Sequence, residues 1–96
     1  MAVNVRIPPL LRKYTGGVNT VRAAGDTVGD VLFYLGRQHP GLSEEILNTD
    51  GSLHQFINVY RNGEDIRYLE LLSTGLADGD VVAILPAVAG GAALEE

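Results

Sequence analysis

The chain has 96 residues, a formal net charge of -5, and neither cysteine nor tryptophan. That length fits one domain, since single domains peak at about 100 to 150 residues, and the lack of thiols excludes a thioester carrier, a persulfide carrier, a redox dithiol and a zinc finger. Seven Lys and Arg against twelve Asp and Glu leave no basic footprint for neutralising phosphates, which argues against nucleic acid as the main ligand.

Val3, Val5 and Ile7 alternate with Asn4 and Arg6, the period of a half-buried strand, and Pro8-Pro9 stops it because proline donates nothing to a ladder. A loop from Pro8 to Tyr14 is expected next, then a turn at Thr15-Gly16-Gly17 and a second strand from Val18 to Ala23, with a hairpin as the connection. Val28, Val31, Leu32 and Leu35 fall at helical spacing. Thr27 with Asp30 resembles a capping box with Asp in place of Glu, so a helix is predicted from there to about Gln38, ended by His39-Pro40-Gly41. Leu42 to Leu47 reads as a short helical turn with Ser43 as its cap, and Asn48 to Ser52 as a polar loop.

Phe56 to Arg61 is rich in β-branched and aromatic residues and runs into Asn62-Gly63, which predicts a third strand and a tight turn. Ile66 and Tyr68 suggest a short edge strand, while Leu69, Leu71, Leu72 and Leu76 supply buried anchors in an irregular stretch. Asp78-Gly79-Asp80 is a turn, and Val81 to Leu85 the last strand, with Val82 and Ile84 pointing inward. This order argues an α+β domain over residues 1–86, with one main helix laid across a mixed sheet. Residues 87–91 have small uncharged side chains and are expected to project as a flexible tail.

No apolar run reaches the roughly 20 residues of a membrane span, and the first residues lack the features of a signal peptide, so a cytoplasmic protein without membrane or nucleic-acid partners is expected. The two histidines, His39 and His54, fit no metal or triad pattern, and no metal site is expected. Glu64-Asp65 and Asp78-Gly79-Asp80 sit where turns need Asp and Gly, and Gly25-Asp26-Thr27-Val28-Gly29 lacks the spacing of a phosphate loop. No catalytic residue is assigned.

Gly16-Gly17 lies between two predicted strands and turns the chain, whereas Gly90-Gly91 comes after the last strand with no further strand to require a turn. Two readings of the second pair stand side by side: an inert linker, or a slender terminus built to enter another protein's active site. The five residues Ala87, Val88, Ala89, Gly90 and Gly91 can reach about 17 Å at roughly 3.3 to 3.6 Å each, and glycines let the backbone lie in a narrow channel. If Ile57 and Val59 face the helix, Phe56 and Tyr60 face the other side of the sheet together with Val81, Ala83 and Leu85. That patch is either an interface for a partner or a face covered by the loop before Phe56.

The stretch from Leu76 through Asp78-Gly79-Asp80 and Pro86 to Gly90-Gly91 resembles the ubiquitin-like sulfur carrier proteins, the MoaD/ThiS family. Supporting stretches are Ile7-Pro8 with Leu11-Arg12, Thr15-Gly16-Gly17, Gly25-Asp26-Thr27, Leu53-His54 with Phe56, and Asn62 with Glu64-Asp65, and the likeness is strongest to the carriers of cysteine biosynthesis. The resemblance implies a β-grasp (ubiquitin-like) fold and a carrier rather than an enzyme. It implies that an E1-like adenylating enzyme uses ATP to activate the Gly91 carboxylate, which then becomes a thiocarboxylate; the carrier itself binds no cofactor. The sulfur acceptor would be a pyridoxal-phosphate cysteine synthase or, in the other branch, the large subunit of molybdopterin synthase, with a metalloprotease for processing. Ala92-Ala93-Leu94-Glu95-Glu96 departs from the mature pattern, because a peptide bond on Gly91 leaves nothing to adenylate. Residues 92–96 read as a removable extension or as residues left by cloning. A ubiquitin-like modifier that acylates lysine through Gly91 is the alternative from a different class.

Overall fold

The computed structural model describes residues 2–86; the tail expected at 87–91 and the extension expected at 92–96 lie outside them. The alternating valines produce β1 (Ala2–Arg6), in which Val3 and Val5 are fully buried. Pro8-Pro9 ends the strand, but in place of the expected loop Pro9–Thr15 forms a 3-10 helix. Proline suits a first helical turn because it has no N–H to leave unpaired, and Leu11 pins the segment into the core. The Gly17 N–H donates to Arg12 O at 2.8 Å, so the diglycine closes this helix before β2 (Thr20–Ala24) begins. β2 returns antiparallel on β1 with Val5 opposite Val21, a hairpin that carries a helix in its connection.

The predicted helix is α1 (Val28–Gln38), and the four spaced residues Val28, Val31, Leu32 and Leu35 are its buried stripe. Thr27 Oγ1 accepts the Asp30 N–H at 3.1 Å, while the Asp30 carboxylate accepts from the Asp26 N–H at 3.4 Å rather than from Thr27, so only the Thr27 half of the box forms. Thr27→Ala is expected to cost about 1 kcal/mol through the orphaned N–H, which lowers Tm by about 4 to 8 °C in a domain this small; thermal unfolding followed by circular dichroism checks it. α2 (Pro40–Ile46) starts two residues earlier than the turn expected from Leu42. Ser43 is not its cap: Pro40 opens the helix, and the Ser43 hydroxyl donates back to Pro40 O at 3.2 Å from inside it.

β3 (Ile57–Arg61) and β4 (Glu64–Asp65) flank Asn62-Gly63. Both turn residues have positive φ, 50° and 89°, the geometry that matches strand twist and that Asn and Gly tolerate. The edge strand expected at Ile66 and Tyr68 is not formed. Asp65 Oδ1 accepts the Arg67 N–H at 2.9 Å and turns the chain into a 3-10 helix, Ile66–Tyr68. A strand would put Ile66 and Tyr68 on one face; here Ile66 is fully buried and Tyr68 is 86% exposed. Leu71, expected as an anchor, is exposed and left-handed (φ 54°), whereas Leu69, Leu72 and Leu76 pack half-buried against the core. The buried residue in this stretch is Thr74, whose Oγ1 accepts the Glu70 N–H at 3.0 Å.

The last strand is β5 (Val81–Pro86), with Val82 and Ile84 inward as expected. It lies in the middle of the sheet order β2-β1-β5-β3-β4, parallel to β1 and antiparallel to β3. The sheet is therefore mixed. Its inner face, α1 and α2 enclose one core, which agrees with the α+β arrangement read from the element order.

Candidate functional site at the root of the tail

Parallel pairing sets where the chain leaves the fold. β1 and β5 run side by side with Arg6 opposite Ala83, so both strands finish at the same end of the sheet. On the other side Ile57 pairs with Pro86, so the last described residue of β5 lies beside the start of β3. Gly91, Gly90, Ala89, Val88 and Ala87, the proposed working residues, lie outside the described residues; their root does not.

Alternation that buries Val82 and Ile84 turns Val81, Ala83 and Leu85 to the open face, and the register sets Tyr60 beside Ala83 and Asn58 beside Leu85. Tyr60 and Leu85 are thus diagonal neighbours on one surface, about 7 to 8 Å apart at the backbone. Leu85 is 45% exposed while Tyr60, Val81 and Ala83 are half-buried, so the loop before Phe56 does not cover Leu85. Phe56 is exposed too, but it precedes β3. It sits in the turn with its ring 5.6 Å from that of His54, and its N–H donates to His54 Nδ1 at 3.2 Å. Of the three expected contacts, Tyr60 and Leu85 share the ladder and Phe56 stands at the rim, one residue before the Ile57 that pairs with Pro86.

Asn58 was not among the expected site residues. It lies between Phe56 and Tyr60 in sequence, opposite Leu85, and its Oδ1 is shielded from solvent with no donor among the described residues. Its outward position in the alternation was legible; the missing partner required coordinates.

The other candidate groups are structural. Asp78 Oδ1 accepts the Ala2 N–H at 3.1 Å, and Asp80 accepts the Ala77 N–H at 2.8 Å and the Asn62 side-chain amide at 3.0 Å. These bonds hold the Asp80 carboxyl below its ordinary pKa, the Ala77 N–H contributing most. What they lend to the turn before β5 is present above the ordinary carboxylate pKa and lost as pH falls through the lowered one. Asp65 is likewise lowered, chiefly by its bonds to Arg67, the nearest at 2.8 Å. Among the described residues, no group of three or more His, Asp or Glu could hold a metal ion. The site offers a surface and an exit point rather than acid-base chemistry.

Known proteins resemble this chain in sequence and fold. The chain is 50% identical over 93 residues to the sulfur carrier protein CysO of Mycobacterium tuberculosis, covering 95% of this chain and all of that one. The crystal structure of M. tuberculosis CysO superposes with a TM-score of 0.84 at 48% identity, over 90% of this chain and 99% of that one. CysO in the BexX/CysO complex of Amycolatopsis orientalis gives 0.85 at 44%, over 93% and 99%. Small archaeal modifier protein 1 of Haloferax volcanii is 42% identical over 78 residues, covering 78% of this chain and 85% of that one. The fold is thus the ubiquitin-like β-grasp, and these relatives are a sulfur carrier and a small modifier protein. Residues 5–91 match the ThiS family, so the chain is a homologue of sulfur carrier CysO and belongs to the ThiS family.

Proposed function

We propose that this protein carries sulfur on the backbone carboxylate of Gly91 for cysteine biosynthesis. Identity of 50% to CysO across 95% of the chain is the observation that carries the reading. The family match ends at Gly91, which supports that residue as the working terminus and Ala92 to Glu96 as residues to be removed. The Gly91 carboxylate attacks the α-phosphorus of ATP on an E1-like enzyme, releasing pyrophosphate and leaving an acyl adenylate. A sulfur donor then attacks the activated carbonyl and expels AMP, and the product is a thiocarboxylate. Because the sulfur rides on main-chain carbonyl carbon, the absence of cysteine is no obstacle.

The acceptor in this reading is a pyridoxal-phosphate cysteine synthase, and a metalloprotease trims the cysteine adduct or the extension. CysO of A. orientalis assembles with BexX, which supports a sulfur-acceptor enzyme as a partner of this chain. Ala87 to Gly90 supply reach. Tyr60 and Leu85, with Phe56 at the rim, meet the partner's surface. In the alternative branch the acceptor is the large subunit of molybdopterin synthase. A protein-modifier role has an observation of its own, the 42% identity to small archaeal modifier protein 1.

Intact mass of the protein from its native source separates these readings. A chain ending at Gly91, in part with one oxygen replaced by sulfur, is the expected result. Lysine-linked adducts without thiocarboxylate would move the assignment to a modifier, and a uniformly full-length unmodified population would overturn both.

A further inference from the structure

The protein is acidic overall, yet the root of its tail is not. A cleft of about 430 Å³ opens beside the end of β5, walled by Pro8, Pro9 and Leu85 and flanked by Arg6, Arg12 and Asn19; among the described residues no carboxylate lines it. Arg61 and Arg67 have carboxylate partners, Glu64 at 3.9 Å and Asp65 at 2.8 Å. Arg6 and Arg12 have none among the described residues. Arg12 is nonetheless held in place, its Nε–H donating to Ile7 O at 3.0 Å, which fixes the guanidinium and leaves its terminal nitrogens available. Arg6 is exposed at the last position of β1, opposite Ala83 of β5 and Thr20 of β2. Two cations beside a rigid apolar wall fit a carboxylate that has an aliphatic or aromatic neighbour.

We propose that this cleft receives an acidic residue flanked by an apolar side chain on the surface of the adenylating enzyme, next to the entrance of the channel that takes the tail. The charge is complementary, and the position is the end of the last strand: Leu85 lines the cleft and Pro86 ends β5, five residues before Gly91. The inference rests on the carrier reading. The contact acts on docking and not on chemistry, because Gly91 can lie up to about 17 Å from Pro86. Paired charges at an interface rim speed encounter and fix register, and their effect fades as salt screens them.

The test uses the protein ending at Gly91 with the E1-like adenylating enzyme of the same genome, read by ATP–pyrophosphate exchange at low and high salt. Arg6→Glu is expected to raise KM about tenfold at low salt, with kcat unchanged and the difference shrinking at high salt. Arg6→Gln should fall between the two proteins. Arg37→Glu on α1 makes the same change in net charge away from the cleft and should match the wild type. Equal KM values for Arg6→Glu and wild type overturn the proposal, as does an equal rise for Arg37→Glu, which would mean net charge alone. Unchanged KM with salt-sensitive self-association that Arg6→Glu abolishes would give the cleft to a second copy, again overturning it. A wild-type protein that the enzyme never activates overturns the carrier reading itself.

Discussion

Protein ending at Gly91 is expected to support ATP–pyrophosphate exchange by its adenylating enzyme, and the chain ending at Glu96 is expected to support none. The effect is all or nothing because adenylation needs a carboxylate oxygen as nucleophile. In the longer chain that oxygen is an amide carbonyl, neutral and a poor nucleophile toward phosphorus, and no acyl adenylate can form while its carbon is bonded to the Ala92 nitrogen. Mixing the 96-residue chain with a protease that cuts after Gly91 should restore exchange in step with cleavage. Gly91→Val in the shortened protein keeps the carboxylate and adds a branched Cβ, which a channel shaped for bare backbone cannot accept; exchange should again fall below detection. Equal exchange by the two lengths would overturn Gly91 as the reactive terminus, whereas equal exchange by the shortened protein and its Gly91→Val variant would overturn only the narrow-channel argument.

Adjacent residues of β5 should behave oppositely. Ile84 is buried in the central strand, so Ile84→Ala is expected to cost about 2 to 5 kcal/mol through lost burial and a cavity. Against a total of about 5 to 15 kcal/mol, that lowers Tm by at least about 8 °C and leaves a measurable unfolded fraction if the parent is at the low end. Leu85 is 45% exposed on the opposite face, and Leu85→Ala should change stability by no more than about 0.5 kcal/mol. Its effect belongs to binding: KM for activation rises while the urea midpoint stays put. A large loss of stability at Leu85 with no change in KM would make it a core residue and remove it from the docking surface.

Elements built from local chemistry were legible in the sequence. The helical stripe from Val28 to Leu35, the Asn62-Gly63 turn and the inward pair Val82 and Ile84 each follow from spacing or from φ preference, and the structure has all three. Misreadings fell where a side chain competes with the backbone pattern. Ile66 and Tyr68 alternate like a strand, yet the Asp65 carboxylate captures the next N–H but one and bends the chain away. Pro9 to Thr15 looks like a loop because proline breaks strands, though the same proline favours a helix start. At the site, Tyr60 and Leu85 could be placed on one face by counting residues in twos, but Phe56 could not, since the ladder stops at Ile57. The meeting of Arg6 and Arg12 with Leu85 depends on the first strand pairing parallel to the last, a non-local fact that no window of sequence contains.

That parallel pairing has a practical consequence for handling the molecule. Because β1 runs toward the end of the sheet where β5 finishes, Ala2 lies at the far end of the strand, about 13 Å from Arg6 for four residue steps. A fluorophore, affinity handle or resin linkage attached ahead of Ala2 therefore points away from the enzymes that must reach the other terminus. Immobilised in that orientation, the protein presents Leu85, Arg6 and the outgoing chain together, and the order in which successive enzymes come and go can be followed on one surface.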